Sequence, residues 1–168
     1  CPGNFKEASE SGSSRHHGRK DCVYQVGADM NILFFLKPKS EVSYLYDDYS
    51  LRQSLEKMER HGYTAIPIIG REDGTYKGTI TEGDLLWAVK EYWNLNIHTA
   101  EVLPIMEIHR HRDNLPVSVG ESMENLIDKV TNQNFVPVID DEGHFIGIIT
   151  RKDVIGYLVH ELGRSNEI

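Results

Sequence analysis

The chain has 168 residues, of which 39% are hydrophobic and 26% are charged, and its formal net charge is -8. These values are ordinary for one globular domain or two very small ones, and they exclude collagen-like, fully disordered and coiled-coil classes. The acidic charge argues against a nucleic-acid partner, and the apolar run at 32–36 is far shorter than the ~20 residues that a membrane span needs.

Residues 1–29 differ in composition from the rest of the chain. The stretch 7–20 is mostly Ser, Gly, Arg and His and offers little to bury, so it cannot offset the entropy lost on ordering. Because Met30 opens the first apolar segment, we expect residues 1–29 to be a disordered tail that is not native sequence. Cys1 and Cys22 both lie in this tail. The expected folded part therefore has no cysteine, which fits a reducing cytoplasm and excludes disulfide scaffolds and cysteine catalysis.

An internal repeat organises the rest of the chain. The stretches 50–86 and 122–155 align, and each contains a Thr-x-x-Asp step, at Thr81 in the first and at Thr150 in the second. Each unit is too short to build a robust core alone, so we expect the two units to pack together and share one. The predicted boundaries place the first domain at 30–95 and the second at 96–168.

The two units have the same predicted order of elements. A short strand comes first, and a helix follows with Ser50 or Ser122 as its N-cap and apolar residues at helical spacing. Two β-rich runs joined by an Asp-Gly or Glu-Gly turn then predict a hairpin, and a threonine opens a second helix. Each unit is therefore β-α-β-β-α, and the fold class is α+β. The predicted strands are 41–46, 65–69 and 76–80 in the first unit and 115–119, 135–139 and 145–149 in the second.

This order of elements, with a proline-ended strand and a Thr-x-x-Asp step present twice in register, resembles a tandem pair of CBS domains, also called a Bateman module. The resemblance covers residues 40–160, and GYTAIP at 62–67 and TRK at 150–152 are similar to segments of small stand-alone bacterial CBS proteins. It implies a pseudo-twofold pair whose cleft holds two candidate ligand sites. It also implies that such pairs dimerise and that some of them bind adenine nucleotides or cyclic-di-AMP.

In the family, each adenosine site combines the first strand and the proline-ended strand of one repeat with the Thr-x-x-Asp step of the other. The resemblance therefore implies that Asp153 accepts hydrogen bonds from ribose hydroxyls and that Thr150 begins a helix whose free N–H groups favour phosphate. Arg151 and Lys152 add positive charge beside that phosphate. The predicted residues of this site, called site A, are Glu41, Val42, Ser43, Tyr63, Thr64, Ala65, Ile66, Thr150, Arg151, Lys152 and Asp153.

The second implied site, called site B, differs from site A in charge. Glu82 and Gly83 stand where site A has Arg151 and Lys152, and a like charge ~4 Å from a phosphate costs several kcal/mol. A polyphosphate is therefore expected to prefer site A. The basic run at 109–112 is an alternative source of positive charge for site B. The predicted residues of site B are Asp113, Asn114, Leu115, Asn134, Phe135 and Val136 with Thr81, Glu82, Gly83 and Asp84.

Other interpretations of these residues stay open. Thr-x-x-Asp before an apolar run is close to a helix capping box, and capping can coexist with ligand binding. His98, His109 and His111 match no metal motif, so we predict a surface or linker role for them and no metal site. Trp87 and Trp93 lie on an aromatic-rich helix that either packs in the core or forms a dimer face.

We predict from these patterns a cytoplasmic, non-enzymatic regulatory module, because no nucleophile elbow, Walker A loop or paired acid and base is visible. It binds an adenine nucleotide such as AMP, ADP or ATP between the repeats, forms a homodimer and signals to an unknown partner protein by a shift in conformation. No cofactor, metal, nucleic acid or membrane is expected. The alternatives are a ligand-free scaffold that acts by protein contact, and a sensor of cyclic-di-AMP or S-adenosylmethionine, although Glu41 stands where cyclic-di-AMP binders tend to place a basic residue.

Overall fold

The computed structural model describes residues 30–92 and 96–164. The predictions for the tail, residues 1–29, and for Trp93 lie outside these described residues. Within them, the two units are present with the predicted order of elements, so the α+β class and the β-α-β-β-α repeats are confirmed. No helix of the described part is long and apolar enough to cross a membrane.

Repeat 1 and repeat 2 are built from matching strands and helices, which are numbered here in chain order. Repeat 1 contains β2 (Leu45–Tyr46), α1 (Leu51–His61), β3 (Ala65–Ile69), β4 (Tyr76–Thr81) and α2 (Glu82–Glu91). Repeat 2 contains β5 (Val117–Ser118), α4 (Met123–Asn132), β6 (Phe135–Ile139), β7 (Phe145–Thr150) and α5 (Arg151–Arg164). Outside the repeats lie β1 (Lys37–Pro38), α3 (Ile97–Val102) and short 3-10 helices at Ile32–Phe35, Lys39–Glu41 and Ile105–Glu107. The first strand of each repeat is shorter than predicted, since only two residues pair in each case.

Each repeat forms one sheet. In repeat 1 the strand order is β2-β3-β4, with β2 parallel to β3 and β3 antiparallel to β4. In repeat 2 the order is β1-β7-β6-β5, because β1 crosses from the start of the chain to pair antiparallel with β7, with Lys37 opposite Ile148. This close approach requires a glycine, since a Cβ on Gly147 would lie 2.1 Å from the carbonyl oxygen of Lys37. The segment before repeat 1 is thus part of the sheet of repeat 2.

Local sequence signals set the ends of the helices. The Ser50 hydroxyl accepts a hydrogen bond from Gln53 N while Ser50 N donates to the Gln53 side chain, which is a capping box. The Ser122 hydroxyl also caps its helix, α4, by accepting a hydrogen bond from Asn125 N. Helix α1 ends at Gly62, whose φ of 64° lies in the left-handed region that glycine adopts without strain. Both predicted N-caps are therefore confirmed.

Two apolar clusters form instead of the one shared core that the short repeat length predicts. The cluster of repeat 1 includes Leu103, Ile105 and Ile108 from the segment between the repeats. The cluster of repeat 2 includes Ile32 and Phe35 from the segment before repeat 1. These added segments enlarge each unit, and a larger unit can bury a cluster of its own.

The two repeats join through their hairpins. Tyr76 N donates a hydrogen bond to Gly143 O at 3.2 Å, and Phe145 N donates one to Gly74 O at 2.9 Å. Tyr76 and Phe145 are equivalent positions of the repeat, as are Gly74 and Gly143, so these two bonds are related by the pseudo-twofold. The two aromatic rings also stack, with 6.5 Å between their centroids. The predicted pseudo-twofold pairing of the repeats is therefore present.

Candidate functional site

A cavity of about 370 Å³ lies between the two repeats. Its volume falls within the range of roughly 300–1,000 Å³ that is typical of small-molecule sites. The cavity lies where β3 and β6 begin, because the pseudo-twofold brings these two strand starts to the same cleft. The lining residues are Lys37, Glu41, Val42, Ser43, Gly62, Tyr63, Thr64, Ala65, Pro67, Asn134, Phe135, Ile148 and Thr150.

Most residues predicted for site A lie around this cavity. The lining includes Glu41, Val42, Ser43, Tyr63, Thr64, Ala65 and Thr150. The side chain of Ile66 packs instead in the apolar cluster of repeat 1 and is 1% exposed. Arg151, Lys152 and Asp153 follow Thr150 in the first turn of α5. Of these three, Asp153 contacts two of the lining residues, as described next.

The Asp153 carboxylate is the acceptor at the edge of this cavity. The Thr150 hydroxyl donates a hydrogen bond to Asp153 Oδ2 at 2.6 Å, and Lys37 Nζ lies 3.2 Å from the same oxygen. The hydrogen bond from Thr150 and the positive charge of Lys37 hold the pKa of Asp153 below its ordinary value, although partial burial opposes them. The side chain is 37% exposed. Asp153 is therefore an ionised carboxylate that an entering ligand can reach.

Lys37 is a site residue that the repeat alignment missed. It lies outside both repeats, on β1, and reaches the cavity because β1 pairs with β7 of repeat 2. The repeat pattern gave no signal for it, since the pairing joins residues that are far apart in sequence. Among the residues that line the cavity, Lys37 supplies the positive charge and Glu41 the negative charge.

Arg151 makes a contact that differs from its predicted role at a phosphate. Its guanidinium Nε donates to Val130 O at 2.7 Å and to Gln133 O at 3.0 Å. These carbonyls lie at the C-terminal end of α4, where helix geometry leaves carbonyl groups without partners. Arg151 therefore caps α4, a role that the side chain of Lys152, exposed at the surface, does not share.

The residues predicted for site B are divided among three places. Asn134 and Phe135 line the cavity of site A, because the start of β6 faces that cleft. Val136 is 0% exposed and belongs to the apolar cluster of repeat 2. Asn114 is buried and donates to Phe135 O at 3.0 Å, whereas Leu115 is 61% exposed.

In the step assigned to site B, Asp84 contacts His111. His111 belongs to the segment 109–114 between the repeats, which is called the linker. Asp84 Oδ1 accepts a hydrogen bond from His111 N at 3.0 Å and lies 3.0 Å from Nδ1 of the same histidine. Asp84 Oδ2 accepts one from Thr81 N at 3.0 Å. Burial raises the pKa of Asp84, but these hydrogen bonds from His111 and Thr81 outweigh it and lower the pKa overall. Both carboxylate oxygens therefore have partners within the chain.

The other features singled out in the sequence lie at the surface. Trp87 is 51% exposed on α2. The rings of His109 and His111 meet edge to face with 5.0 Å between centroids. Among the described residues, no group of three or more His, Cys, Asp or Glu side chains is placed to hold a metal ion.

Comparison with known proteins identifies relatives of this arrangement. A model of the CBS domain family matches residues 35–91 and 100–160. A CBS domain-containing protein of Dictyostelium discoideum is 27% identical over 122 residues, which make up 68% of this chain and 83% of that protein. The sequence match therefore spans both repeats.

Solved structures share the fold. A CBS domain protein from Streptococcus pneumoniae superposes with a TM-score of 0.69 at 26% identity, covering 77% of this chain and 86% of that one. The CbpB protein of Listeria monocytogenes, solved in complex with c-di-AMP, superposes with a TM-score of 0.65 at 20% identity, covering 76% of this chain and 94% of that one. The resemblance drawn from the repeats is confirmed.

Proposed function

Because the chain belongs to the CBS domain family and carries two such domains in tandem, we propose that it is a regulatory module that binds an adenine nucleotide in the cavity between its repeats. Proteins of this family are generally regulatory and non-catalytic. The observation that carries the proposal is the accessible, ionised Asp153 beside Thr150 and Lys37, at the edge of a cavity that residues of both repeats line.

The ribose is the part of the ligand that Asp153 recognises. A carboxylate is a strong acceptor for a pair of vicinal hydroxyls, and hydrogen bonds to charged groups are stronger than neutral ones. Asp153 is held in place by Thr150, which fixes the direction of its oxygens before the ligand arrives. A guanine or an adenine nucleotide offers the same ribose, so selection between them depends on the walls of the cavity.

The base lies against the apolar and aromatic walls. Tyr63 is 39% exposed, and one face of its ring stacks on His61 with 5.5 Å between centroids. Because Tyr63 also lines the cavity, its ring can stack on a purine, an arrangement that aromatic rings favour. Val42 and Phe135 provide apolar surface across the cavity. The base therefore bridges residues from both repeats.

The phosphate lies near Lys37 and the start of α5. Free N–H groups at a helix N-terminus favour an anion, and α5 begins directly after Thr150. When the ribose hydroxyls take over part of the hydrogen bonding of Asp153, Lys37 can turn from that carboxylate to the phosphate. Because Glu41 also lines the cavity, a ligand with one phosphate group is favoured over a polyphosphate or a cyclic dinucleotide.

Exposed apolar faces on both repeats support a homodimer. A groove of about 570 Å³ between α1 and α2 is lined mostly by apolar residues, together with Glu59 and Glu82. Leu55, Leu86 and Val89 of this groove are 41%, 65% and 50% exposed. The equivalent surface of repeat 2 exposes Ile155, Val159 and Leu162 of α5. Because the pseudo-twofold gives both repeats the same kind of exposed face, the occupant is a second copy of the chain. A nucleotide that bridges the repeats then favours one relative orientation of the two exposed faces. A partner protein in the cytoplasm recognises that orientation.

A thermal-shift panel on the full chain tests this function. The panel contains adenosine, AMP, ADP, ATP, cyclic-di-AMP and S-adenosylmethionine, with GMP as the control for base identity. A ligand at 100 times its dissociation constant adds about 2.7 kcal/mol, which raises the midpoint of a chain of this size by several degrees. AMP is expected to give the largest shift and GMP none. A folded sample that responds to no adenine ligand would refute the proposal and favour the protein scaffold.

A further inference from the structure

The two Thr-x-x-Asp steps are equivalent in sequence but differ in how accessible their carboxylates are. The Asp153 side chain is 37% exposed, whereas the Asp84 side chain is 3% exposed. The difference comes from the linker between the repeats, because His111 lies directly over Asp84. The same carboxylate position is thus open in one repeat and covered in the other.

The linker is held in this position by contacts beyond His111. Asp113 Oδ1 accepts a hydrogen bond from Thr79 N at 2.8 Å and also pairs with Arg110 Nε at 2.8 Å. Tyr76 donates its hydroxyl to Asn114 O at 2.7 Å. These contacts fasten the linker along β4, immediately before the step that ends at Asp84. His111 is therefore positioned by its neighbours on both sides.

The pseudo-twofold shows what the linker replaces. On the edge of β7, the backbone of β1 lies so close that a Cβ on Gly147 would be 2.1 Å from Lys37 O. On the equivalent edge of β4, a Cβ on Gly78 would be 2.6 Å from Asp113 Oδ1 and 3.0 Å from Arg110 Nε. Side chains of the linker therefore occupy in repeat 1 the place that a backbone strand occupies in repeat 2.

We propose that the His111 ring is an intramolecular ligand of Asp84 which excludes a nucleotide from site B, so that the chain holds one nucleotide rather than two. A ribose hydroxyl at this step would need the place beside Asp84 Oδ1 that the His111 ring fills. The backbone N–H of residue 111 also donates to this oxygen, but a carboxylate oxygen can accept a second hydrogen bond once the ring is absent. Displacing the ring would leave a nearly buried carboxylate with fewer partners, which is costly unless the ligand replaces every bond. The inference rests on the proposed function, because the excluded ligand is of the same class.

The stoichiometry of AMP binding tests this inference. Isothermal titration of the full chain with AMP is carried out on the wild type, on His111→Ala and on His98→Ala, which removes an exposed histidine of α3 instead. The expected result is one AMP per chain for the wild type and for His98→Ala, and two for His111→Ala. In parallel, thermal midpoints of the ligand-free Asp84→Asn, His111→Ala and double variants are compared, and the double variant is expected to lose less than the sum of the single variants.

Each outcome has a separate meaning. One AMP on the wild type and one on His111→Ala would overturn the exclusion but leave the proposed function intact. Two AMP molecules on the wild type would do the same. No AMP on the wild type and one on His111→Ala would support the exclusion and refute binding at Asp153. No AMP on either protein would overturn both proposals. Additive thermal effects would show that the Asp84 and His111 side chains do not interact and would also overturn the exclusion.

Discussion

Lys37 Nζ lies 3.2 Å from Asp153 Oδ2, which joins the strand before repeat 1 to the helix that ends repeat 2. This ion pair places a cation and an anion at the edge of one cavity, where each can serve a different part of a nucleotide. It forms because β1 pairs with β7 rather than with a strand of its own repeat. The ion pair therefore ties the segment before repeat 1 to repeat 2 at the edge of the cavity.

Removing the charge of Lys37 is expected to lower the affinity for AMP more than the affinity for adenosine. Lys37→Met keeps the length of the side chain but loses the ammonium group that we propose for the phosphate. Because Lys37 is about half exposed, we expect the affinity for AMP to fall about 5- to 10-fold and the affinity for adenosine to change little. Isothermal titration with both ligands measures the ratio, and Lys129→Ala on α4 is the control. Equal losses for the two ligands would contradict a role at the phosphate.

Arg151→Ala is expected to affect stability rather than ligand selection. The substitution leaves Val130 O and Gln133 O at the end of α4 without their donor. A lost partner of this kind costs about 1–3 kcal/mol, and the thermal midpoint should fall by several degrees. The exposed Arg112→Ala is the matched control and should leave the midpoint unchanged. A change in the AMP-to-adenosine ratio with no loss of stability would show instead that Arg151 binds phosphate.

Asp84 gives the fold a dependence on pH with a defined sign. Its pKa in the folded chain lies below the ordinary value of 3.8, so the unfolded chain binds more protons near that pH. Its contribution to stability is therefore fully present above that ordinary value and is lost as the pH falls through the lower pKa of the folded state. Urea unfolding at several pH values across this acidic range gives the free energy of unfolding as a function of pH. That free energy should change less steeply with pH for Asp84→Asn than for the wild type. The same dependence of the free energy of unfolding on pH in both proteins would mean that the contacts of Asp84 do not favour its ionised form.

If the proposed homodimer forms through the groove between α1 and α2, a charge placed in that groove is expected to separate it. Leu86 is 65% exposed in this groove, so Leu86→Glu adds a charge to an apolar contact without disturbing the core. Light scattering after size-exclusion chromatography should report a dimer for the wild type and a monomer for the variant. Val102→Glu is the control, because Val102 is 64% exposed on α3 and does not line the groove. A monomeric wild type would refute the proposed homodimer.

The features that could be predicted from the sequence are those that short stretches determine. Ser50, Ser122 and Gly62 set helix ends through contacts a few residues away, and the repeated Thr-x-x-Asp step marks the two helix starts after the sheets. The predictions of the helix ends needed no knowledge of how distant segments pair. The residues near 42–43 and 63–65 that line the cavity were implied instead by the resemblance to a CBS pair, which carries that knowledge.

The features that could not be predicted depend on long-range contacts that differ between the repeats. Lys37 reaches the cavity because β1 crosses to repeat 2, and His111 covers Asp84 because the linker follows β4. Arg151 bonds to the end of a helix about 20 residues earlier in the chain. An alignment of the repeats treats the two halves as equal, so it cannot indicate which segment lies over which step.

Titration of AMP into the wild type and into Asp153→Asn shows whether an adenine nucleotide binds through Asp153. Asn keeps the shape of the side chain but loses the charge that strengthens its hydrogen bonds to ribose, so affinity should fall about 10- to 100-fold. Asp141→Asn, on the exposed turn of the second hairpin, should bind AMP as the wild type does. Equal AMP affinity for Asp153→Asn and the wild type, with both proteins folded, would contradict the account.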